Sequence, residues 1–285
     1  MPRKTIVDFV EMKKRGEKIT WLTCYDYPMA TIMDKAGLDM ILVGDSMGNV
    51  VYGYSGTLPV TMAQCIYHTE AVRRGAPNIF VIGDMPFMSY HKSVEDAISN
   101  AGRFYKEAGV DAIKLEGGVR VAAQIRGIVS AGMVVIGHVG LTPQSTAALG
   151  GFKAQGNTAE TAMVVLEDAI AVQEAGAAML LVEAVPPETC KVIWETLKIP
   201  VLGIGAGPHC DGQVLIVHDM LGIFEVFTPK FVKKYDNLAD SMFKAFQAYI
   251  KDVREVKFPA PEHFYKMKPG EAEKLEQMVK AKKAK

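Results

Sequence analysis

The sequence predicts an α/β fold: a single (β/α)8 TIM barrel with eight parallel strands. Three observations predict it. Short apolar or β-branched runs recur eight times, segments of helical character follow most of them, and several of those segments close in Ala-Gly just before the next run. The runs are continuous rather than alternating, as expected of parallel strands covered on both faces. Alternating β and α units imply a parallel sheet, and eight units in 285 residues favour closure into a barrel over a doubly wound open sheet.

In chain order, strands are expected over 19–24, 40–44, 79–83, 112–116, 134–139, 179–183, 201–204 and 214–218. Helices are expected over 27–36, 63–74, 94–108, 119–131, 159–175, 187–197 and, after the last strand, 238–253. Four of the helices end at Ala36-Gly37, Ala108-Gly109, Ala131-Gly132 and Ala175-Gly176. A glycine just past a helix end takes the left-handed conformation that terminates it. The connection 205–212 is too short for a full helix and is the weakest link in the count. Residues 1–258 are read as the catalytic barrel, and 259–285 as a Pro- and Lys-rich tail, partly helical or frayed, carrying no chemistry.

Composition narrows the function. Lys and Arg number 32 against 32 Asp and Glu, so the chain lacks the basic excess of a nucleic-acid binder. Hydrophobic residues make up 49%, enough for a large core, yet no run approaches the roughly 20 apolar residues that span a bilayer. Met1-Pro2-Arg3-Lys4-Thr5 is not followed by an apolar h-region, which argues against a secretory signal. The four cysteines, Cys24, Cys65, Cys190 and Cys210, are scattered without a Cys-x-x-Cys pair; neither a zinc site nor a disulfide framework is expected, and a reducing, cytoplasmic location is.

In a barrel, function belongs where strands end and βα loops begin. The second run leads into Gly44-Asp45-Ser46 and the third into Gly83-Asp84-Met85-Pro86; the fourth carries Lys114 and Glu116 on one face, the fifth leads to His138 and the sixth to Glu183. Each has a structural alternative: Asp45 as a helix cap, Lys114 and Glu116 as an internal ion pair, His138 as a hydrogen-bonded core residue. Five consecutive strands delivering ionisable groups to one rim favour a site. Two or three carboxylates without matching histidines or thiolates suit Mg²⁺ better than zinc. A 2-oxo acid chelating such an ion has an acidified neighbouring C–H, and Glu183, among apolar strand neighbours, is the expected base. Lys114 can neutralise the substrate carboxylate or enolate, and Ser46 can donate a hydrogen bond. The segment Gly203-Ile204-Gly205-Ala206-Gly207 is not a P-loop; it is either a tight turn or a phosphate loop of the kind some barrels carry at strand seven. His68, His91, His209, His218 and His263 show no ligand spacing.

Several segments carry a family resemblance. Thr23-Cys24-Tyr25-Asp26-Tyr27, Val43-Gly44-Asp45-Ser46-Met47-Gly48, Asp84-Met85-Pro86-Phe87-Met88, Lys114-Leu115-Glu116-Gly117-Gly118 and Gly137-His138-Val139-Gly140-Leu141-Thr142-Pro143-Gln144-Ser145 resemble the ketopantoate hydroxymethyltransferase family, a likeness running from about Thr5 to Pro261. The resemblance implies a barrel enzyme of pantothenate and coenzyme A synthesis. Such an enzyme transfers a hydroxymethyl group from 5,10-methylenetetrahydrofolate to 3-methyl-2-oxobutanoate, giving 2-dehydropantoate by an aldol-type reaction through a metal-bound enolate. By matching position, Asp45 and Asp84 would bind Mg²⁺ with Glu116 completing or supporting the shell. Asp45, Ser46, Asp84 and Lys114 would contact the oxo acid with His138 close by, and Glu183 would be the proton acceptor. A homo-oligomer, commonly a decamer of two pentameric rings, is also implied. The alternative is a Mg²⁺-enolate lyase or mutase of the phosphoenolpyruvate mutase/isocitrate lyase kind. Those enzymes share a Gly-Asp-Ser-like strand end but commonly carry a Lys-Lys-Cys-Gly-His loop, which this chain lacks.

Overall fold

The computed structural model describes residues 3–284. Eight parallel strands close into a barrel in sequence order, the first pairing with both the second and the eighth. They are β1 (Ile19–Thr23), β2 (Met40–Val43), β3 (Phe80–Asp84), β4 (Ala112–Glu116), β5 (Val135–Gly140), β6 (Met179–Glu183), β7 (Val201–Ile204) and β8 (Gly212–Leu215). Helix α1 (Ile6–Arg15) precedes the barrel. Then follow α2 (Tyr27–Ala36), the short α3 (Met47–Val50), α4 (Met62–Gly75), α5 (Val94–Arg103), α6 (Ala122–Ser130), the short α7 (Thr146–Leu149), α8 (Ala159–Glu174), α9 (Pro187–Thr196) and the short α10 (Val217–Met220).

The barrel and seven of the expected helices lie close to where the sequence put them. Gly37, Gly109, Gly132 and Gly176 all have positive φ beyond helix ends, as the Ala-Gly punctuation predicts. The differences are local. The expected helix 94–108 is α5 followed by a π-helical turn at Phe104–Ala108, and the segment 119–131 begins as a 3₁₀ turn at Val119–Val121 before α6. The last strand begins and ends earlier than its apolar run, and His218 lies in α10. No helix joins β7 to β8, as the short connection requires.

Two apolar layers explain the continuous runs. Alternate strand residues face the helices, for example Ile41, Val43, Val81, Ile113, Leu115, Val139, Leu180 and Val182. Their neighbours fill the barrel: Ile19, Trp21, Met40, Leu42, Phe80, Ile82, Ala112, Ile136, Met179, Leu181, Leu202, Ile204 and Val214. Gly83 faces outward where a Cβ would lie 2.4 Å from the Phe104 ring, so the sheet meets the π-helical turn there only without a side chain. Phe9 and Met12 of α1 join the interior set, and the Phe9 ring meets Phe80 edge-on at 5.2 Å. Helix α1 is not among the elements expected from the sequence; Ile6, Val7, Phe9, Val10 and Met12 make it amphipathic, but its role, plugging one mouth of the barrel, depends on closure that no local pattern displays.

At the N-terminal ends of the strands, aspartates staple the sheet. The Asp39 carboxylate accepts from Thr20 N–H at 2.8 Å, Asp111 from Val81 N–H at 2.9 Å, and Asp211 from Val201 N–H at 2.8 Å. Each also meets a cation: Lys4, Arg73 and Lys13 respectively. Each of these aspartates immediately precedes its own strand and reaches the preceding one, so the acidic groups at this mouth hold strand register.

The chain divides into two compact units, one ending at Asp236 and the other starting at Asn237. The second contains α11 (Leu238–Arg254), a 3₁₀ turn at Pro261–His263 and α12 (Glu271–Lys283). Neither helix has a buried residue, and Phe243, Phe246, Tyr249 and Ile250 of α11 are exposed. Among the described residues no helix is long and apolar enough to cross a membrane.

Replacing Phe9 with Ala should cost about 3–5 kcal/mol, the usual range for emptying a buried aromatic site, and lower the urea midpoint without altering the dependence on denaturant. An unchanged midpoint would mean that α1 does not plug the barrel.

Candidate active site

Strand parity assembles the site. On β3, Phe80 and Ile82 face inward, so Asp84 continues the same face; on β4, Ala112 leads to Lys114 and Glu116; on β5, Ile136 leads to His138; on β6, Met179 and Leu181 lead to Glu183. The apolar layers of the interior are therefore capped by a layer of ionisable groups at the C-terminal mouth. Register sets the neighbours: Asp84 aligns with Lys114, and Glu116 with His138. Asp45 and Ser46 enter from the turn after β2.

Asp45, Asp84, Lys114, Glu116 and His138 are all buried, and the Glu183 side chain retains 16% of its exposure. Lys114 Nζ lies 2.8 Å from Asp84 Oδ1 and 3.7 Å from Glu116 Oε1, so its close partner is across the strand boundary rather than two residues along its own strand. The other Asp84 oxygen accepts from Asp45 N–H at 3.0 Å. The Asp45 carboxylate caps no helix; its Oδ2 accepts from Gln144 Nε2 at 2.8 Å. Ser46 Oγ lies 2.8 Å from the buried Tyr25 hydroxyl. His138 lies between two acids, with Nε2 3.2 Å from Glu183 Oε2 and Nδ1 3.7 Å from Glu116 Oε1, and neither ring nitrogen makes a hydrogen bond among the described residues.

Three buried carboxylates face one buried ammonium, and burial is the leading influence on the proton affinities of Asp84 and Glu116. Burial pushes the Asp84 carboxyl from 3.8 up to about 7, with Lys114 opposing the shift and Asp45 adding to it. Burial likewise holds Glu116 well above the usual carboxylate range, again against Lys114 and with Asp45 and Asp84. Burial also works against the Lys114 charge, but Asp84, Glu116 and Asp45 outweigh it and raise its pKa, so it stays an ammonium. Burial and then Lys114 lower the His138 pKa, with Glu183 opposing; the imidazole is neutral at pH 7.

The donor set is all oxygen: Asp84 accepts from the Asp45 backbone N–H, and Glu116 Oε2 accepts from Gln144 N–H at 2.9 Å. Among the described residues no three His, Cys, Asp or Glu side chains are placed to hold one ion together. Two carboxylates fit a hard cation that keeps several waters, which is how Mg²⁺ is usually bound.

All the site residues read from the sequence gather at this mouth. Gln144, Tyr90 and Tyr25 join them without a signal in the sequence, although Gln144 and Tyr25 lie within the segments that carry the family resemblance; uncharged side chains in loops or after strands show nothing until their partners are known. The Gly203-to-Gly207 segment is filled by packing: a Cβ on Gly205 would lie 2.5 Å from the Phe231 ring and one on Gly207 2.7 Å from Pro187. Of the remaining histidines, His68 meets Tyr52 and the Tyr25 carbonyl, and His91 accepts from Met88 N–H.

The family model for ketopantoate hydroxymethyltransferase matches residues 3–261. A protein of Alkaliphilus metalliredigens named 3-methyl-2-oxobutanoate hydroxymethyltransferase is 59% identical over 263 residues, covering 92% of this chain and 93% of its own. One of Moorella thermoacetica bearing the same name is 52% identical over 264 residues, covering 93% and 98%. Among solved structures, phosphonopyruvate hydrolase in complex with oxalate and Mg²⁺ superposes with a TM-score of 0.60 at 14% identity, covering 99% of each chain. The 2,3-dimethylmalate lyase of the phosphoenolpyruvate mutase/isocitrate lyase superfamily gives 0.58 at 17% identity, covering 98% of this chain and all of that one. The structural neighbours share the fold, and the sequence match over nearly the whole chain places this protein in the ketopantoate hydroxymethyltransferase family.

Proposed function

We propose that the protein transfers a hydroxymethyl group from 5,10-methylenetetrahydrofolate to 3-methyl-2-oxobutanoate, giving 2-dehydropantoate, with Mg²⁺ as its metal, as a step toward pantothenate and coenzyme A. The observation that carries this reading is the buried Asp45–Asp84–Lys114–Glu116 cluster sharing one barrel mouth with the His138–Glu183 pair. Full names of the sequence relatives support the transferase over the lyase alternative.

Asp45 and Asp84 would hold the cation, with Glu116 reaching it through water. When bound, the ion balances the excess carboxylate charge and draws electron density from the keto group of the substrate. Lys114 and Ser46 supply a charge and a hydroxyl for the substrate's carboxylate and developing enolate oxygens. Neutral His138, with Nε2 3.2 Å from Glu183 Oε2, places an uncharged neighbour beside the carboxylate that limits where it can turn. Glu183 takes the C3 proton, the electron pair of that C–H bond passes into the enolate, and C3 then bonds to the methylene carbon as its bonds to the folate nitrogens break, water supplying the hydroxyl and tetrahydrofolate leaving. A homo-oligomer, the decamer implied by the family resemblance, belongs to the same proposal, and the exposed apolar residues of α11 support self-association.

Followed by NMR, 3-methyl-2-oxobutanoate should exchange its C3 proton for deuterium in the presence of protein and Mg²⁺ without folate. Glu183→Gln should slow that exchange by about 10²-fold or more while oxo-acid binding persists. Exchange at the parental rate would show that Glu183 is not the base.

Stability of the metal-free protein should depend on pH in a defined direction. With Asp84 at about 7 when folded against 3.8 as its ordinary value, the folded state binds more protons than the unfolded state between those limits. Urea unfolding should therefore show this contribution falling as pH rises from about 4 to about 7. Added Mg²⁺ should raise the midpoint more at pH 8 than at pH 5; equal effects at both would contradict metal binding by these carboxylates.

A further inference from the structure

Gln144 occupies the 3₁₀ turn Pro143–Ser145 after β5 and is 4% exposed, yet it touches both outer members of the acidic cluster. Its backbone N–H donates to Glu116 Oε2 at 2.9 Å. Its side-chain Nε2 donates to Asp45 Oδ2 at 2.8 Å and to the Met85 carbonyl at 3.0 Å, using both amide hydrogens. Its Oε1 accepts from the Tyr90 hydroxyl at 2.8 Å. The same hydroxyl accepts from Glu116 N–H at 3.1 Å and lies 3.2 Å from the Glu116 carbonyl. Tyr90 is fully buried.

These partners fix the amide's orientation. Turned over, Gln144 would set its oxygen against the Asp45 carboxylate and its NH₂ against Tyr90. Its chemistry also fits the place: an amide donates to a carboxylate without neutralising it, whereas a lysine would cancel the charge that a cation needs and a glutamate would repel Asp45. Among the described residues Asp45 Oδ1 has no protein donor, so one oxygen is held while the other stays available.

We propose that Gln144, buttressed by Tyr90, is the positioning residue of the cation site, setting the spacing of Asp45 from β2's turn and Glu116 from β4 and thereby the affinity for a divalent ion. The inference rests on the reading that these carboxylates hold a cation. Side chains outside the ligand set that fix ligand orientation commonly change metal affinity by 10- to 100-fold when removed.

The test is Mn²⁺ binding, read by electron paramagnetic resonance of the free ion, on the full-length protein and on Gln144→Met and Tyr90→Phe, with urea unfolding of each. Gln144→Met keeps the side chain's length without its polar atoms and should weaken Mn²⁺ about 10-fold or more. Tyr90→Phe, which keeps its volume, should weaken it by a few-fold. Parental affinity in Gln144→Met would overturn the positioning role and leave the cation site standing. No Mn²⁺ binding by the parent would overturn both. Should Gln144→Met not fold, Tyr90→Phe decides: unchanged affinity there overturns the proposal.

Discussion

Charge that a closed barrel cannot solvate is the constraint on which the site depends. Inward positions on β1 to β8 are apolar up to the last layer, where Asp84, Lys114, Glu116 and His138 follow on the same faces with Asp45 beside them. Water cannot reach these groups freely, so each carboxylate must find a donor, a proton or a cation. Lys114 serves Asp84 closely and Glu116 at longer range. Gln144 serves Asp45 and Glu116. The negative charge left over is the physical ground for the proposed divalent ion, while burial, against the pull of Lys114, raises the proton affinities of Asp84 and Glu116.

The two mouths of the barrel use aspartate for opposite ends. Asp39, Asp111 and Asp211 at the strand N-termini are matched by lysine or arginine and by a backbone N–H on the preceding strand, which leaves them nothing to do but hold register. At the C-terminal mouth the cations run short, and the buried Lys114 faces the three buried carboxylates Asp45, Asp84 and Glu116. A formal net charge of zero over the chain averages these two situations and reports neither.

Much of this was legible before any coordinates. Continuous apolar runs such as 179–183 announced strands covered on both faces, and the period of two placed Lys114 and Glu116 together. The parity argument extends to Glu183, whose two inward predecessors Met179 and Leu181 are apolar. What stayed hidden depends on closure. Lys114 sits adjacent to Glu116 in the sequence pattern, but strand register brings Asp84 nearer. Gln144 reaches Asp45 across 99 residues of chain, and the amide type carries no hint of it. Helix α1 looks like any amphipathic segment until the barrel gives Phe9 a mouth to fill. The glycines at 205 and 207 suggested a phosphate loop or a turn, and the neighbouring Phe231 and Pro187 account for their missing side chains.

The most direct measurement is calorimetric titration of Mg²⁺ into metal-free protein near pH 6.5, in buffers of different ionisation enthalpy. With the Asp84 carboxyl at about 7 and Glu116 also raised, cation binding must displace protons, and release on the order of one proton per ion is expected. Affinity should rise with pH across the same range. Binding without proton release, at an affinity indifferent to pH, would contradict a cation held by this cluster.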